Sequence, residues 1–205
     1  MATGTTFDLP PLQVNLLRIT LVGDTPLIVH KWSDKAKKMM LDKQMKKASA
    51  GKEAKDPEKD FEDSLYKLPN NEYGFPIIGF KSAAVTACTS IGNVTKVAAR
   101  QAFHIDGDFA VIRGDAPTMR EDMVRVGMGT ADIRYRAEFR TWWTQIAVKH
   151  NANVMSAEMI LNLFNTAGFA VGVGEWRPEK DGQFGRFHVA NAEEAHALLN
   201  IKEAA

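Results

Sequence analysis

Hydrophobic and polar positions change period several times along the chain. Leu12 to Val22 reads as a first strand, and Ser33 to Lys47 as a helix with Ser33 as its cap and Met39, Met40 and Leu41 as its apolar contacts. The polar run from Ala48 to Asp60 reads as a mobile loop. A short apolar strand, Tyr73 to Ile78, turns through Gly79 into an alanine-rich helix near Lys81 to Gln101, which the Gly92-Asn93 turn signal splits in two. Phe109 to Ile112 is a further strand, Gly114 to Pro117 a turn, and Arg120 to Met128, with Gly127 and Gly129 at its end, a loop or hairpin. From Ile133 to Arg140, arginines alternate with Ile133, Tyr135, Ala137 and Phe139, the period of a strand with one buried and one wet face, which runs on to Val148. From Ser156 to Asn165, Ile160, Leu163 and Phe164 fall at helical spacing behind a Ser156 cap. Phe184 to Val189 reads as a strand and Ala192 to Ala204 as a closing helix. No repeat or linker breaks this order, so the chain reads as one domain, 1–205, with an insertion at about 31–70.

The glycine-rich stretch between the last helix and strand, Gly168 to Gly185, restricts the chemistry. A dinucleotide fingerprint or a P-loop needs strand, glycine loop, helix, so that a phosphate meets the helix N-terminus. Here the order is helix, glycine loop, strand, which excludes both. A glycine loop leaving a helix C-terminus offers bare backbone amides and close approach to an extended ligand, with Arg177 and Arg186 as phosphate contacts. Lys81 and Ser82, read as the start of the alanine-rich helix, sit where free amides and the positive dipole end suit one phosphate. Both features point to a polynucleotide backbone rather than to a nucleotide.

Gly79-Phe80-Lys81-Ser82, joined to Gly172 to Gly185 and the Phe184-Gly185-Arg186-Phe187 segment, resembles the RAMP superfamily of CRISPR systems. There the first motif is typically Pro-Gly-Ser-Ser-Leu-Lys-Gly, and the second is a glycine-rich loop. The resemblance runs in element order from about Leu16 to Val189. It implies an α+β fold, a ferredoxin-like or RRM-like antiparallel sheet with helices on one face, here with a basic helical insertion after strand one. It also implies recognition of single-stranded nucleic acid through its backbone, and head-to-tail assembly along the strand.

Composition sets outer bounds. The 205 residues, 45% hydrophobic and 25% charged, suit one well-packed domain, and a net charge of +1 leaves no uniformly basic coat, so a nucleic-acid site must come from local clustering. No apolar run approaches the roughly 20 residues of a membrane span, the N-terminus has no signal-peptide pattern, and Cys88 has no partner cysteine. The expectation is a cytoplasmic protein of a bacterial or phage-infected cell, without membrane contact. His30, His104, His150, His188 and His196 show no metal-ligand spacing, so neither metal nor cofactor is expected.

Local clusters do exist. Between positions 31 and 52 the chain carries Lys31, Lys35, Lys37, Lys38, Lys43, Lys46, Lys47 and Lys52 against Asp34 and Asp42, a solvated face or a strand-binding one. Arg134, Arg136 and Arg140 share one side of their strand with Glu138. Trp142 and Trp143 either stack on bases or pack inside, whereas Trp176, beside Arg177, and Trp32, in the basic segment, are sharper stacking candidates. The expected nucleic-acid-binding set is Lys31, Trp32, Lys35, Lys38, Lys81, Ser82, Arg134, Arg136, Arg140, Gly172, Gly174, Trp176, Arg177 and Arg186.

The residues favour a binder over an enzyme. Some RAMP relatives cleave RNA with a histidine as general base, for which His30 is the matching position, or with an aspartate after strand one, where Asp34 stands; Asp106 with Asp108 is a weaker carboxylate pair. The reading is a sequence-nonspecific coat for single-stranded nucleic acid, preferably DNA, of the phage replication or recombination type, forming a homo-oligomer or filament. A CRISPR backbone subunit holding guide RNA, a RAMP-type endoribonuclease, and a protein that blocks such assemblies are the alternatives.

Overall fold

The computed structural model describes residues 11–32, 34–47, 54–92, 94–126 and 129–204. Strand β1 (Val14–Gly23) turns Leu17, Ile19 and Leu21 into the core and leaves Leu16 and Arg18 on the other side. There follow β2 (Leu27–Val29), α1 (Asp34–Gln44), α2 (Pro57–Ser64), β3 (Tyr66–Lys67), β4 (Tyr73–Pro76), α3 (Ile77–Ile91), α4 (Lys96–Ala102) and β5 (Phe103–Ile105). The second half holds β6 (Phe109–Gly114), β7 (Thr118–Val126), β8 (Thr130–Phe139), β9 (Trp142–Asn151), α5 (Ala157–Ala170), β10 (Phe187–Val189) and α6 (Ala192–Ala204).

The main sheet runs β10-β1-β9-β6-β4-β3, with β5 also on β9, and every pairing is antiparallel. Its centre, β10-β1-β9-β6, has α3 in the connection between β1 and β6 and α5 between β9 and β10, which is the βαββαβ order of a ferredoxin-like fold. Helices α3 and α5 pack against each other and enclose the core. A second sheet, β2-β8-β7, stands apart. The architecture is α+β, as expected.

Phe80 binds the two layers together. Fully buried in α3, it meets Phe75 of β4 at 5.5 Å, Phe187 of β10 at 5.8 Å and Trp142 of β9 at 6.4 Å between ring centroids. Such aromatic pairs contribute about 0.5 to 1.5 kcal/mol each beyond their buried area. Trp142 is buried against Phe187 as well, and its indole N–H donates to the Thr25 carbonyl at 2.9 Å. Gly23 makes room for that ring, because a Cβ there would lie 2.1 Å from the indole nitrogen.

Several expected elements take another form. Pro57–Ser64 is helix rather than loop, since Asp56 caps it by accepting from the Lys59 amide at 3.2 Å and Pro57 supplies a ready-made first turn; positions 48–53, Gly51 and Lys52 among them, lie outside the described residues, as does the Ser33 cap. Helix α3 starts at Ile77, a full turn before Lys81, because Pro76 ends β4 and the Ile77 amide is taken by the Asp108 carbonyl at 2.9 Å. The arginine strand is two strands broken at Arg140-Thr141, whereas Arg120 to Val126 forms a hairpin arm, one of its two expected forms; Gly127 and Met128 lie outside the described residues. Helix α5 continues to Ala170 and contains Gly168, whose missing Cβ lets the Phe187 carbonyl approach. Strand β10 is correspondingly short, and Phe184 to Arg186 belong to the loop. Met39, Met40 and Leu41 make no core on α1 and are exposed.

His188 on β10 ties three segments. One ring nitrogen, Nδ1, lies 2.6 Å from Asp24 Oδ1 in the β1–β2 turn, and Nε2 lies 3.0 Å from Glu194 Oε2 on α6. Burial pulls its pKa down, but the hydrogen bonds to Asp24 and Glu194 win and hold it above the ordinary 6.5. A histidine whose folded pKa is raised contributes stability that is complete below its unfolded value and is lost as pH rises through the folded one. Thermal unfolding followed by circular dichroism is therefore expected to give a midpoint that falls as pH rises above 6.5. In His188→Gln that part of the pH dependence should vanish.

Candidate nucleic-acid interface

The two motifs that lie far apart in sequence face each other across one cleft. On one side are Phe75 and Pro76 of β4 with Ile78, Gly79, Ser82 and Ala83 of α3. On the other is the glycine loop from Val171 to Glu175, with Arg177 and Glu179. His30, just after β2, and Tyr66 of β3 complete a cavity of about 240 Å³.

The first turn of α3 is uncapped. Pro76 has no amide hydrogen, the Ile77 amide is spent on Asp108, and no side chain caps the helix. The next amides, those of Ile78 and Gly79, are orphan donors of the helix start and belong to residues that line the cleft. Ser82 lines it too, but Lys81 does not. Its Nζ lies 3.2 Å from His104 Nδ1 and over the Phe103 ring, so the expected partnership of Lys81 with the helix start is corrected: the lysine points to β5.

The glycine loop departs from its expected form. Its amides are largely consumed: Gly172 donates to Ala167 at 2.8 Å, Val173 to Gly185 at 2.9 Å, Glu175 to Ile28 at 3.0 Å, Gly182 to Arg177 at 3.1 Å and Gly185 to Pro26 at 2.8 Å. The glycines serve the same packing. Gly174 has φ +80, and a Cβ on it would lie 2.5 Å from the Ile28 carbonyl oxygen; Gly185, at φ +65, would place one 1.8 Å from the Val173 oxygen. The loop is thus a closed platform fastened to β2, not a row of bare amides, and it presents side chains to the cleft.

Chief among these side chains is Glu175, which sequence reasoning passed over although it directly follows Gly174. Its Oε1 lies 3.7 Å from His30 Nδ1 and its Oε2 3.6 Å from Arg136. The nearby His30 ring, outweighing burial together with the charges of Arg136 and Arg177, holds the carboxyl below its ordinary range. Tyr66 is pushed up by burial and by Glu175, so its hydroxyl stays protonated. The sequence gives no signal for Tyr66, because a two-residue strand has no readable period.

Arg136 is not on a wet face. It is buried, pairs with Asp122 at 3.3 Å and reaches Glu175, while its Nε has no hydrogen-bond partner among the described residues. The chain of charges continues from Asp122 to Arg120 at 2.8 Å and from Arg120 to Glu138 at 3.0 Å, with the Arg120 guanidinium 4.6 Å from the Phe184 ring centroid. Of the arginines on β8, Arg136 meets the glycine loop instead of solvent. Arg134 pairs with Asp132 at 3.4 Å, and Arg140 is exposed, 3.9 Å from Glu138. Arg177 is held by Glu179 at 2.7 and 3.0 Å and by the Gly174 carbonyl at 3.1 Å. Arg186 lies outside the cleft lining, with a buried Nε that has no described partner.

Trp142 and Trp143 are both buried and offer no stacking surface, whereas Trp176 and Trp32 are exposed. Lys31 directly follows His30, ahead of α1, and Lys38 is exposed on α1; the Lys35 side chain lies outside the described residues. Asp34 is a surface residue bonded to Lys37 at 3.0 Å, which lowers its pKa. Asp106 is taken up by Lys149 at 2.9 Å. Among the described residues no group of three His, Cys, Asp or Glu is placed to hold a metal ion, and no helix is long and apolar enough to cross a membrane.

No protein-family model matches the sequence, and no curated protein matches it either. Solved structures do. The chain superposes on a chain of the type III-B Cmr-beta complex bound to cognate target RNA with a TM-score of 0.54 at 9% identity, over 87% of this chain and 59% of that one. It also matches Cmr6 from Pyrococcus furiosus with a TM-score of 0.45 at 11% identity, over 88% of this chain and 100% of that one. What is shared is the fold, and this protein has a RAMP-like fold. It spans about three-fifths, 59%, of the matched Cmr-beta chain.

Two substitutions test the packing that holds the glycine loop and the β7–β8 hairpin together. Arg136→Leu removes one of the two guanidinium partners of buried Asp122, which keeps Arg120, and should lower stability in urea unfolding by about 1 to 3 kcal/mol. Gly174→Ala meets both a positive φ and the Ile28 carbonyl, and is expected to cost at least about 1 to 3 kcal/mol in the same measurement.

Proposed function

We propose that the protein is a cytoplasmic RAMP-type subunit that holds single-stranded RNA by its backbone and assembles in several copies along the strand. The observation that carries this is convergence: the uncapped start of α3 and the glycine-loop platform, about 90 residues apart in the chain, form the two walls of one cleft. Lys31, which directly follows the cleft residue His30, and the lysines of α1 after it supply positive charge for the phosphates that run past the cleft. Trp32, just after the cleft residue His30, and Trp176, next to Glu175, are exposed and offer flat faces to bases. Likeness of fold to a chain from a complex bound to target RNA supports RNA as the polymer. The role is binding rather than cleavage, with His30 engaged by Glu175 and Asp34 by Lys37.

Fluorescence anisotropy with labelled single-stranded RNA, single-stranded DNA and duplex of equal length, from low to moderate salt, tests this reading. Tight binding to single-stranded RNA that weakens steeply with salt is expected, with Lys31→Ala and Lys38→Ala each reducing the salt slope by about one. The strand should come off uncut. A preference for DNA would move the protein to a phage replication or recombination role, and a cut product lost in His30→Ala would make the cleft a ribonuclease site. No binding to any polymer would overturn the reading.

A further inference from the structure

Past the helix start, the interior of the cleft is better matched to a base than to a phosphate. Its walls are largely apolar, with Phe75, Pro76 and Ile78 facing Val171 and Val173. The one arginine that lines it is already spent: Arg177 gives Nε and one terminal nitrogen to Glu179 and the other terminal nitrogen to the Gly174 carbonyl. What stands open is a carboxylate. Glu175 is 42% exposed, and its contacts with His30 and Arg136, at 3.7 and 3.6 Å, are longer than hydrogen bonds, so both oxygens keep lone pairs for a ligand. These same contacts hold it ionised despite its partial burial.

An ionised carboxylate at the end of an apolar slot selects a flat group that presents two adjacent N–H donors. Among nucleobases only guanine does so, through N1–H and the 2-amino group. Adenine and cytosine put an acceptor beside their amino donor, and uracil flanks a single N–H with two carbonyls, so each would turn a lone pair toward Glu175. A volume of about 240 Å³ holds one base and not a base pair. We propose that this cleft is a nucleobase pocket selective for guanine, in which Glu175 accepts both donors of an unstacked guanine while the flanking backbone runs over the α3 start. This rests on the single-strand-binding reading above and adds sequence preference to it. Sequence preference in single-stranded binding commonly comes from such unstacked bases read on their Watson–Crick edge.

The test uses nine-residue oligouridylates that carry one central guanosine, inosine, adenosine or cytidine, titrated against the full chain. Guanosine is expected to bind roughly tenfold more tightly than adenosine or cytidine, with inosine, which keeps N1–H but lacks the amino group, in between. Glu175→Gln exchanges one acceptor for a donor and should bring the four affinities within about twofold of one another. Ile78→Trp, at a position 68% exposed and therefore tolerant of a larger side chain, fills the slot and should abolish the preference independently. Equal affinities in the unaltered protein, or a guanosine preference that survives both substitutions, would overturn the pocket and leave backbone binding standing. No binding by any of the four would overturn both.

Discussion

The fastening of the glycine loop to β2 is the constraint on which the rest of the site depends. Two backbone bonds, Glu175 to Ile28 and Gly185 to Pro26, lay the loop along the free edge of a three-residue strand whose other edge pairs with β8. Backbone can come that close only where no Cβ intervenes, and the left-handed conformations of Gly174 and Gly185 turn the chain within that space. The loop in turn fixes Glu175, and β2 delivers His30 to the same place. A glycine-rich sequence here makes a rigid element, since nearly every amide in it has a partner.

The core explains why the first motif reads as it does. Phe80 belongs to the aromatic cluster with Phe75, Trp142 and Phe187, while Gly79 keeps clear of the Phe75 ring, which a Cβ would approach to 2.7 Å. Of the four residues Gly79 to Ser82, two are therefore packing residues, one is aimed at β5, and only Ser82 and the Gly79 backbone reach the cleft. The motif positions a helix start more than it supplies a charged ligand.

Charge follows the same logic. A chain of ion pairs runs from Glu138 through Arg120, Asp122 and Arg136 to Glu175, bridging the β7–β8 hairpin and the glycine loop. It uses Arg136, which the sequence pattern alone would assign to nucleic acid, and it ends on Glu175, a carboxylate of the cleft lining. In the proposed reading, backbone affinity and base preference fall to different residues.

The order of the main elements was legible in the sequence, because strand and helix periods over Leu12 to Val22, Ser156 to Asn165 and Ala192 to Ala204 are local properties of the chain. The two motifs, and hence the RAMP-like fold, were legible for the same reason. Tertiary structure decided what those residues do. Periodicity along β8 placed Arg136 on a polar face, but whether a polar face meets water depends on what packs over it, and here that is the glycine loop. Nothing local distinguishes an amide left bare for a ligand from one satisfied by a distant strand, as the Glu175 amide is by Ile28, nor marks Glu175 and Tyr66 as neighbours of His30. Local pattern determined the elements, and long-range packing chose which of their atoms remain open for chemistry.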